Sequence, residues 1–187
     1  MGGVSNGDSF PMVVRTAKLV RQALDDSSLA GAVKTSGAKG VHVFVPLDGQ
    51  TSIEDVAAAT RALAERASRL DPDLATTAFI RENRGHRVFI DSTRAGGATV
   101  VSVYSPRLRP GVPVSFPLSW DDLDRVVPAD FTLRTALDLI GGRDPWAEAM
   151  PAPQRLSPEL IAEGHDIPIA RVAAMHEGKR RARARRA

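Results

Sequence analysis

A short glycine-containing loop carries residue types that bind anions. It holds Ser36, Lys39 and two glycines, and the strand predicted after it contains His42. Backbone N–H groups, a hydroxyl and an ammonium in such a loop can converge on one anion, so phosphate is the ligand that this chemistry favours. A hairpin turn with an exposed lysine accounts for the same local pattern equally well. The spacing does not match the Gly-x-x-x-x-Gly-Lys-[Ser/Thr] phosphate-binding loop.

Two further segments place charged side chains beside predicted strands. Asp91 closes the strand 88–91 next to a glycine-containing turn, where it is either a turn-forming residue or a ligand, and local sequence favours the turn. Arg107 and Arg109 lie on a loop stiffened by prolines, where they are either solvated or placed to bind phosphate. Cysteine is absent, which excludes disulfides, cysteine nucleophiles and thiolate metal sites, and the four histidines lack a paired metal-binding spacing.

Apolar periodicity predicts the strands that position these residues. Alternation in the strand after the loop places Val41, Val43 and Val45 on a core face, with His42 and Phe44 on the opposite face. In the strand 88–91 the same alternation separates two aliphatic residues from Phe89 and the aspartate. A further strand is predicted over 99–104.

Helical spacing of apolar residues predicts the helices. The first helix starts at Ser9 and ends within 25–28. The second helix begins with a capping-box pattern at Thr51 and Glu54, and its predicted buried stripe is Ile53, Val56, Thr60, Leu63, Ala67 and Leu70. Later helices are predicted over 120–126, capped by Ser119, and up to Ile140, capped by Thr132 and ended by Gly141.

The order of these elements predicts an α+β fold. It consists of an antiparallel or mixed sheet with helices packed on one face, a site on the other face and a helical C-terminal part. The predicted domains are a disordered N-terminus over 1–8, a folded domain over 9–150, and a linker, short helix and basic tail over 151–187.

Composition and charge limit the possible locations and partners. The 187 residues are 43% hydrophobic and 25% charged, which is typical of a globular protein. Without a membrane-length apolar run or a secretory start, a cytoplasmic location and no membrane partner are expected. Six of the 25 basic residues lie in the tail, and without them 19 basic residues would face 22 acidic ones. Such a tail is either a nucleic-acid-binding arm or a solubilising end; its residues are Lys179, Arg180, Arg181, Arg183, Arg185 and Arg186.

Four motifs in register resemble one known family. They lie within 34–42, 87–91, 97–107 and 113–120, and begin with Lys-Thr-Ser-Gly-Ala-Lys-Gly-Val-His and Arg-Val-Phe-Ile-Asp. The later two read Gly-Ala-Thr-Val-Val, followed by Tyr-Ser-Pro-Arg, and Pro-Val-Ser-Phe-Pro-Leu-Ser-Trp. Together they resemble the polymerase domain of bacterial ligase D, a member of the archaeo-eukaryotic primase superfamily with an RRM-like catalytic fold.

The resemblance implies nucleotidyl transfer to a DNA or RNA end during non-homologous end joining. It assigns Ser36, Lys39 and His42 to the incoming nucleoside triphosphate and Arg107 to a phosphate. Asp91 becomes a ligand for Mg²⁺ or Mn²⁺. The implied partners are a nucleoside triphosphate, DNA and a separate ligase or end-joining protein, because the ligase motif Lys-x-Asp-Gly does not occur here. The histidine and the aspartate both lie on the non-core face of their predicted strands, so a single open sheet face could present both.

The sequence departs from the family pattern at its start. Family members carry an Asp-x-Asp pair on a strand before the segment that matches 9–26, where this sequence reads Met1-Gly2-Gly3-Val4. Two-metal phosphoryl transfer needs several carboxylates around ions about 3.5–4 Å apart. We therefore expect a catalytically incomplete site unless an upstream or separate polypeptide supplies the pair. The alternatives are a non-catalytic nucleotide- or nucleic-acid-binding remnant and a truncated gene product.

Overall fold

A computed structural model describes residues 10–96, 99–169 and 175, which form two compact units. Within these residues, the first unit combines 10–50 with 99–155, and the second combines 51–96 with 156–169. The predictions for the N-terminus over 1–8 and for the basic tail lie outside the described residues.

The described helices and strands alternate along the chain. Short 3₁₀ turns occur at Arg81–Asn83, Thr93–Gly96 and Pro128–Asp130. The helices and strands in chain order are α1 (Phe10–Asp25), β1 (Ala32–Thr35), β2 (Val41–Phe44), α2 (Ile53–Leu70), β3 (Ala75–Thr76), β4 (Val88–Phe89), β5 (Pro117–Leu118), α3 (Ala136–Ile140), α4 (Pro145–Ala149) and α5 (Pro158–Asp166). None of the described helices has the combined length and apolar character needed to cross a bilayer.

The first unit is built on a three-stranded antiparallel sheet. Its strand order is β2-β1-β5, and the predicted hairpin is confirmed, with Lys34 directly opposite His42. Val41 and Val43 pack against the core, as their alternation predicts. The core lies between this sheet, the buried stripe of α1 and the segment that follows β5. Its buried members are Phe10, Val14, Ala17, Val33, Val114, Phe116, Leu118, Leu123, Phe131 and Ala136.

The second unit is built on the packing of α2 against α5. The α2 face toward α5 is lined with small residues, including the fully buried Ala58 and Ala62, and such residues let two helix backbones approach closely. The predicted stripe is partly wrong, because Ile53 and Leu70 are 69% and 48% exposed. The predicted cap is also shifted by one residue: the Ser52 hydroxyl oxygen accepts from the amide of Asp55.

The predicted fold class is confirmed, but the strands form two sheets rather than one. β4 pairs in parallel with β3 inside the second unit and does not join the antiparallel sheet of the first unit. The strand predicted over 99–104 is also absent from its described residues, since Tyr104 has a positive φ of 62° that breaks an extended backbone.

The helix predicted over 120–126 is wrong, whereas the next prediction is partly confirmed. The segment forms turns over 120–124 instead of a helix. Leu123 is fully buried in the core, and the Trp120 indole nitrogen donates to the Gly31 carbonyl at 2.8 Å, so long-range contacts fix this segment. The following helix starts at Ala136 rather than just after Thr132, and it ends as predicted at Gly141 in the left-handed conformation.

Candidate anion-binding site

The loop between β1 and β2 is held in shape by its own serine. The Ser36 hydroxyl oxygen accepts hydrogen bonds from the amides of Ala38 at 3.2 Å and Gly40 at 3.1 Å. Gly37 has a φ of +66°, and a Cβ there would lie 2.7 Å from Arg107 Cγ and 3.0 Å from the amide nitrogen of Ser115. Only glycine fits this position, because both the backbone conformation and the close neighbours oppose a side chain.

Arg107 lies directly against this loop. Its Nη1 donates to the Ser36 carbonyl at 3.2 Å, and its own amide donates to the Pro113 carbonyl at 2.8 Å. Lys39 is exposed at the tip of the loop. The structure therefore brings Ser36, Lys39 and Arg107 together around one glycine turn.

His42 lies on β2, the strand that follows this loop, and its ring contacts a buried lysine. Lys34 is fully buried, and its Nζ lies 3.0 Å from Nδ1 of His42 and 2.5 Å from Oγ of Ser115. Burial disfavours the ammonium and the nearby Arg107 guanidinium repels it, so the pKa of Lys34 falls to about 8. The ring of Phe44 lies 5.5 Å from this ammonium.

Lys34 and Ser115 belong to this candidate site but were not among the residues predicted from the sequence. One signal was available for the lysine: residues directly opposite each other across a hairpin share a sheet face, and Lys34 lies opposite His42. Ser115 lies within the motif over 113–120, but nothing in the sequence pairs it with Lys34, which is 81 residues away along the chain.

The groups that bond Lys34 and Arg107 in the described part of the chain are uncharged. The atoms that contact the Lys34 ammonium are a hydroxyl oxygen, an imidazole nitrogen and an aromatic ring, and Arg107 contacts a carbonyl oxygen. Among the residues described, neither cation forms an ion pair with a carboxylate. Two positive side chains beside a glycine turn form a site suited to an anion.

Asp91 belongs to the second unit and is bonded within its own turn. Its Oδ1 accepts from the amide of Thr93 at 3.0 Å and from the Thr93 hydroxyl at 2.6 Å, and Oδ2 accepts from Nε of Arg94 at 3.0 Å. Burial alone would raise the pKa of the Asp91 carboxyl, but these hydrogen bonds and the Arg94 charge outweigh it and lower the pKa. These are the contacts of a turn-forming residue.

The expectation that one sheet face presents both His42 and Asp91 is wrong. The two residues belong to strands, or to the end of a strand, in different sheets and different units. Within residues 10–96 and 99–169, no group of three or more His, Asp or Glu side chains is placed to hold a metal ion. The donors around Asp91 therefore do not fit a two-metal centre, and its assignment as a metal ligand stays a prediction.

Comparison with known families gives one consistent match. Residues 5–146 match the family model described as the LigD primase-polymerase domain. The multifunctional non-homologous end joining protein LigD of Pseudomonas aeruginosa is 34% identical over 150 residues, covering 78% of this chain and 18% of that protein. The bifunctional non-homologous end joining protein LigD of Bacillus subtilis is 31% identical over 136 residues, covering 71% of this chain and 22% of that protein.

A solved structure has the same fold. The polymerase domain of Mycobacterium tuberculosis ligase D in complex with DNA aligns with a TM-score of 0.65 and 27% identity, over 87% of this chain and 52% of that one. This chain thus spans about half of that polymerase domain and less than a quarter of the two LigD proteins. The resemblance drawn from the four motifs is confirmed.

Proposed function

This chain belongs to the LigD primase-polymerase domain family, and we propose that its glycine turn binds the triphosphate of a nucleotide. The turn, Arg107 beside it and the buried Lys34 are together called the cation cluster. In this proposal the cluster is part of a site for nucleotidyl transfer to DNA ends in non-homologous end joining.

One observation carries the proposal. Arg107 lies against the glycine turn and repels the buried Lys34, and neither cation forms an ion pair with a carboxylate among the described residues. Like charges held together without a counter-ion are costly in a poorly hydrated site, and a polyanion relieves that cost. A triphosphate supplies such a charge, and Lys39 at the tip of the loop adds a third cation.

Family membership also supports a divalent cation and DNA as partners. Mg²⁺ or Mn²⁺ is the implied cofactor, with Asp91 as its implied ligand, although that carboxylate is bonded to its own turn and we derive no reaction step through a metal. DNA is favoured because the aligned polymerase domain is in complex with DNA. A separate ligase or end-joining protein and a cytoplasmic location complete the proposal.

Calorimetric titration of the chain with ATP tests the proposal. Removing the guanidinium as Arg107→Ala should weaken binding about tenfold or more, since a hydrogen bond to a charged group contributes about 1.5–3 kcal/mol. Lys39→Ala should also weaken it. Arg134→Ala and Lys18→Ala are matched controls, because both side chains are exposed elsewhere in the same unit. No heat from the unmodified chain, or equal heat from Lys39→Ala, would contradict triphosphate binding.

A non-catalytic nucleotide-binding protein is the second candidate function. The observation that favours it is the poor fit of the described donors to a two-metal centre. Primer extension by the chain in the presence of Mn²⁺ separates the two candidates. Extension would establish catalysis by these residues, whereas ATP binding without extension would favour the non-catalytic function.

A further inference from the structure

The hydrogen bonds around Lys34 have a defined direction. The Ser115 hydroxyl lies 2.7 Å from the carbonyl oxygen of Thr35. Because a carbonyl oxygen can only accept, the hydroxyl donates its proton to Thr35. Toward Lys34 at 2.5 Å, the Ser115 oxygen must then accept. An ammonium has three donors and no acceptor, which agrees with this direction.

The same ammonium determines which nitrogen of His42 carries a proton. Nζ of Lys34 lies 3.0 Å from Nδ1 of the ring, and Nδ1 must accept because the ammonium cannot. A ring nitrogen that accepts a hydrogen bond carries no proton, so this contact excludes both the imidazolium and the Nδ1–H form. The proton of the neutral ring is then on Nε2.

We propose that Lys34 is a positioning residue that holds His42 as the Nε2–H tautomer, with Ser115 keeping the lysine in place. The consequence for ligand binding rests on the proposed function: with its proton on Nε2, the ring can donate a hydrogen bond from that nitrogen but cannot accept one there. Lys34 thus acts on the triphosphate through His42 and is itself fully buried.

The ionisation of Lys34 agrees with this role. Burial and Arg107 lower the pKa of Lys34 to about 8, which still leaves the amine mostly protonated at pH 7. The groups that face it are Arg107, His42, the Ser115 hydroxyl and the ring of Phe44.

The tautomer can be measured directly by NMR in the nucleotide-free protein. Long-range ¹H–¹⁵N spectra of the full ¹⁵N-labelled chain at pH 7 distinguish the two ring nitrogens, and His42→Gln assigns the His42 signals. We expect Nδ1 at the shift of an unprotonated acceptor and Nε2 at the shift of a protonated nitrogen. A protonated Nδ1 in the unmodified chain would overturn the proposal, and this result needs no variant to fold.

Two variants test whether the lysine is the cause. Lys34→Met keeps the length of the side chain but donates nothing, so the two ring nitrogens of His42 should move toward a common averaged shift. Ser115→Ala should produce a smaller change in the same direction. Lys39→Met is the matched control and should leave the His42 signals unchanged. Unchanged His42 shifts in folded Lys34→Met would overturn the proposal, and if that variant does not fold, unchanged shifts in Ser115→Ala would do so.

Nucleotide binding separates this inference from the proposed function. If the Nε2–H tautomer is present but ATP does not bind, the triphosphate proposal fails and the inference about Lys34 stands. If ATP binds and Lys34→Met changes neither the tautomer nor the affinity, the inference fails and the triphosphate proposal stands.

Discussion

Gly164 in α5 packs so closely on α2 that a single added methyl group should separate the two helices. An ideal Cβ at this position would lie 1.9 Å from the carbonyl oxygen of Ala58 and 2.2 Å from its carbonyl carbon. These are backbone atoms of α2, so no side chain can rotate away to make room. Ordinary contact begins near 3.4 Å, and Gly164→Ala therefore requires the helix backbones to move apart.

The magnitude follows from two opposing effects. Alanine favours a helix interior over glycine by about 1 kcal/mol, which would stabilise α5. Overpacking costs about 1–3 kcal/mol where neighbours can shift, and here the neighbour is a backbone carbonyl. Separation would also stretch the two hydrogen bonds that Arg61 donates to the Gly164 carbonyl, at 3.2 and 3.0 Å. We expect a net destabilisation of about 2–3 kcal/mol.

Guanidinium denaturation followed by circular dichroism measures this change. Ala162→Gly is the matched control, because position 162 is exposed in the same helix and that substitution should cost only the propensity difference of about 1 kcal/mol. The proposed packing predicts that Gly164→Ala is more destabilising than Ala162→Gly. A Gly164→Ala variant as stable as the unmodified chain, or more stable, would refute the close approach of α2 and α5.

Two further predictions concern charge. If the basic tail binds DNA, its removal from Lys179 onward should weaken binding and flatten the salt dependence by about 0.9 in the log–log slope for each phosphate that the tail neutralises, measured by fluorescence anisotropy at several salt concentrations; an unchanged slope would mean that the tail does not bind DNA. A hydrogen bond from His165 and another from Ser52 lower the pKa of Asp55 in the folded chain. The contact between His165 in α5 and Asp55 in α2 therefore stabilises the fold above the unfolded pKa of about 3.9. This stabilisation is lost as the pH falls through the lower folded pKa. His165→Ala should therefore have a lower denaturation midpoint than the unmodified chain at pH 6, and the two midpoints should approach each other at pH 3. A difference between the midpoints that persists in acid would contradict this assignment.

Patterns along the chain were enough to predict the first two helices, the hairpin and the family. Apolar periodicity located α1, α2 and the hairpin, because a buried face leaves a repeat that depends only on near neighbours along the chain. The four motifs in register identified the family, and the comparisons confirm it. The glycine turn with Ser36 and Arg107 was recognised from these motifs as a candidate phosphate-binding site.

Pairing between distant segments could not be predicted from these local patterns. Alternation predicts which residues share a strand face but not which strand lies beside it, and β4 pairs with β3 rather than with the hairpin. Likewise, the buried face of α2 depends on its packing against α5, which lies about 100 residues later in the chain. The predicted buried stripe therefore differs from the observed one at both ends of α2, where Ile53 and Leu70 are exposed.

The buried lysine is the clearest case. A lysine in a strand is expected to be exposed unless its ammonium has buried hydrogen-bond acceptors. One acceptor of Lys34 is Ser115, which is 81 residues away along the chain. Burial of that charge depends on hydrogen bonds that exist only when the chain is folded, and for this reason the sequence predicted His42 as a candidate site residue but not Lys34.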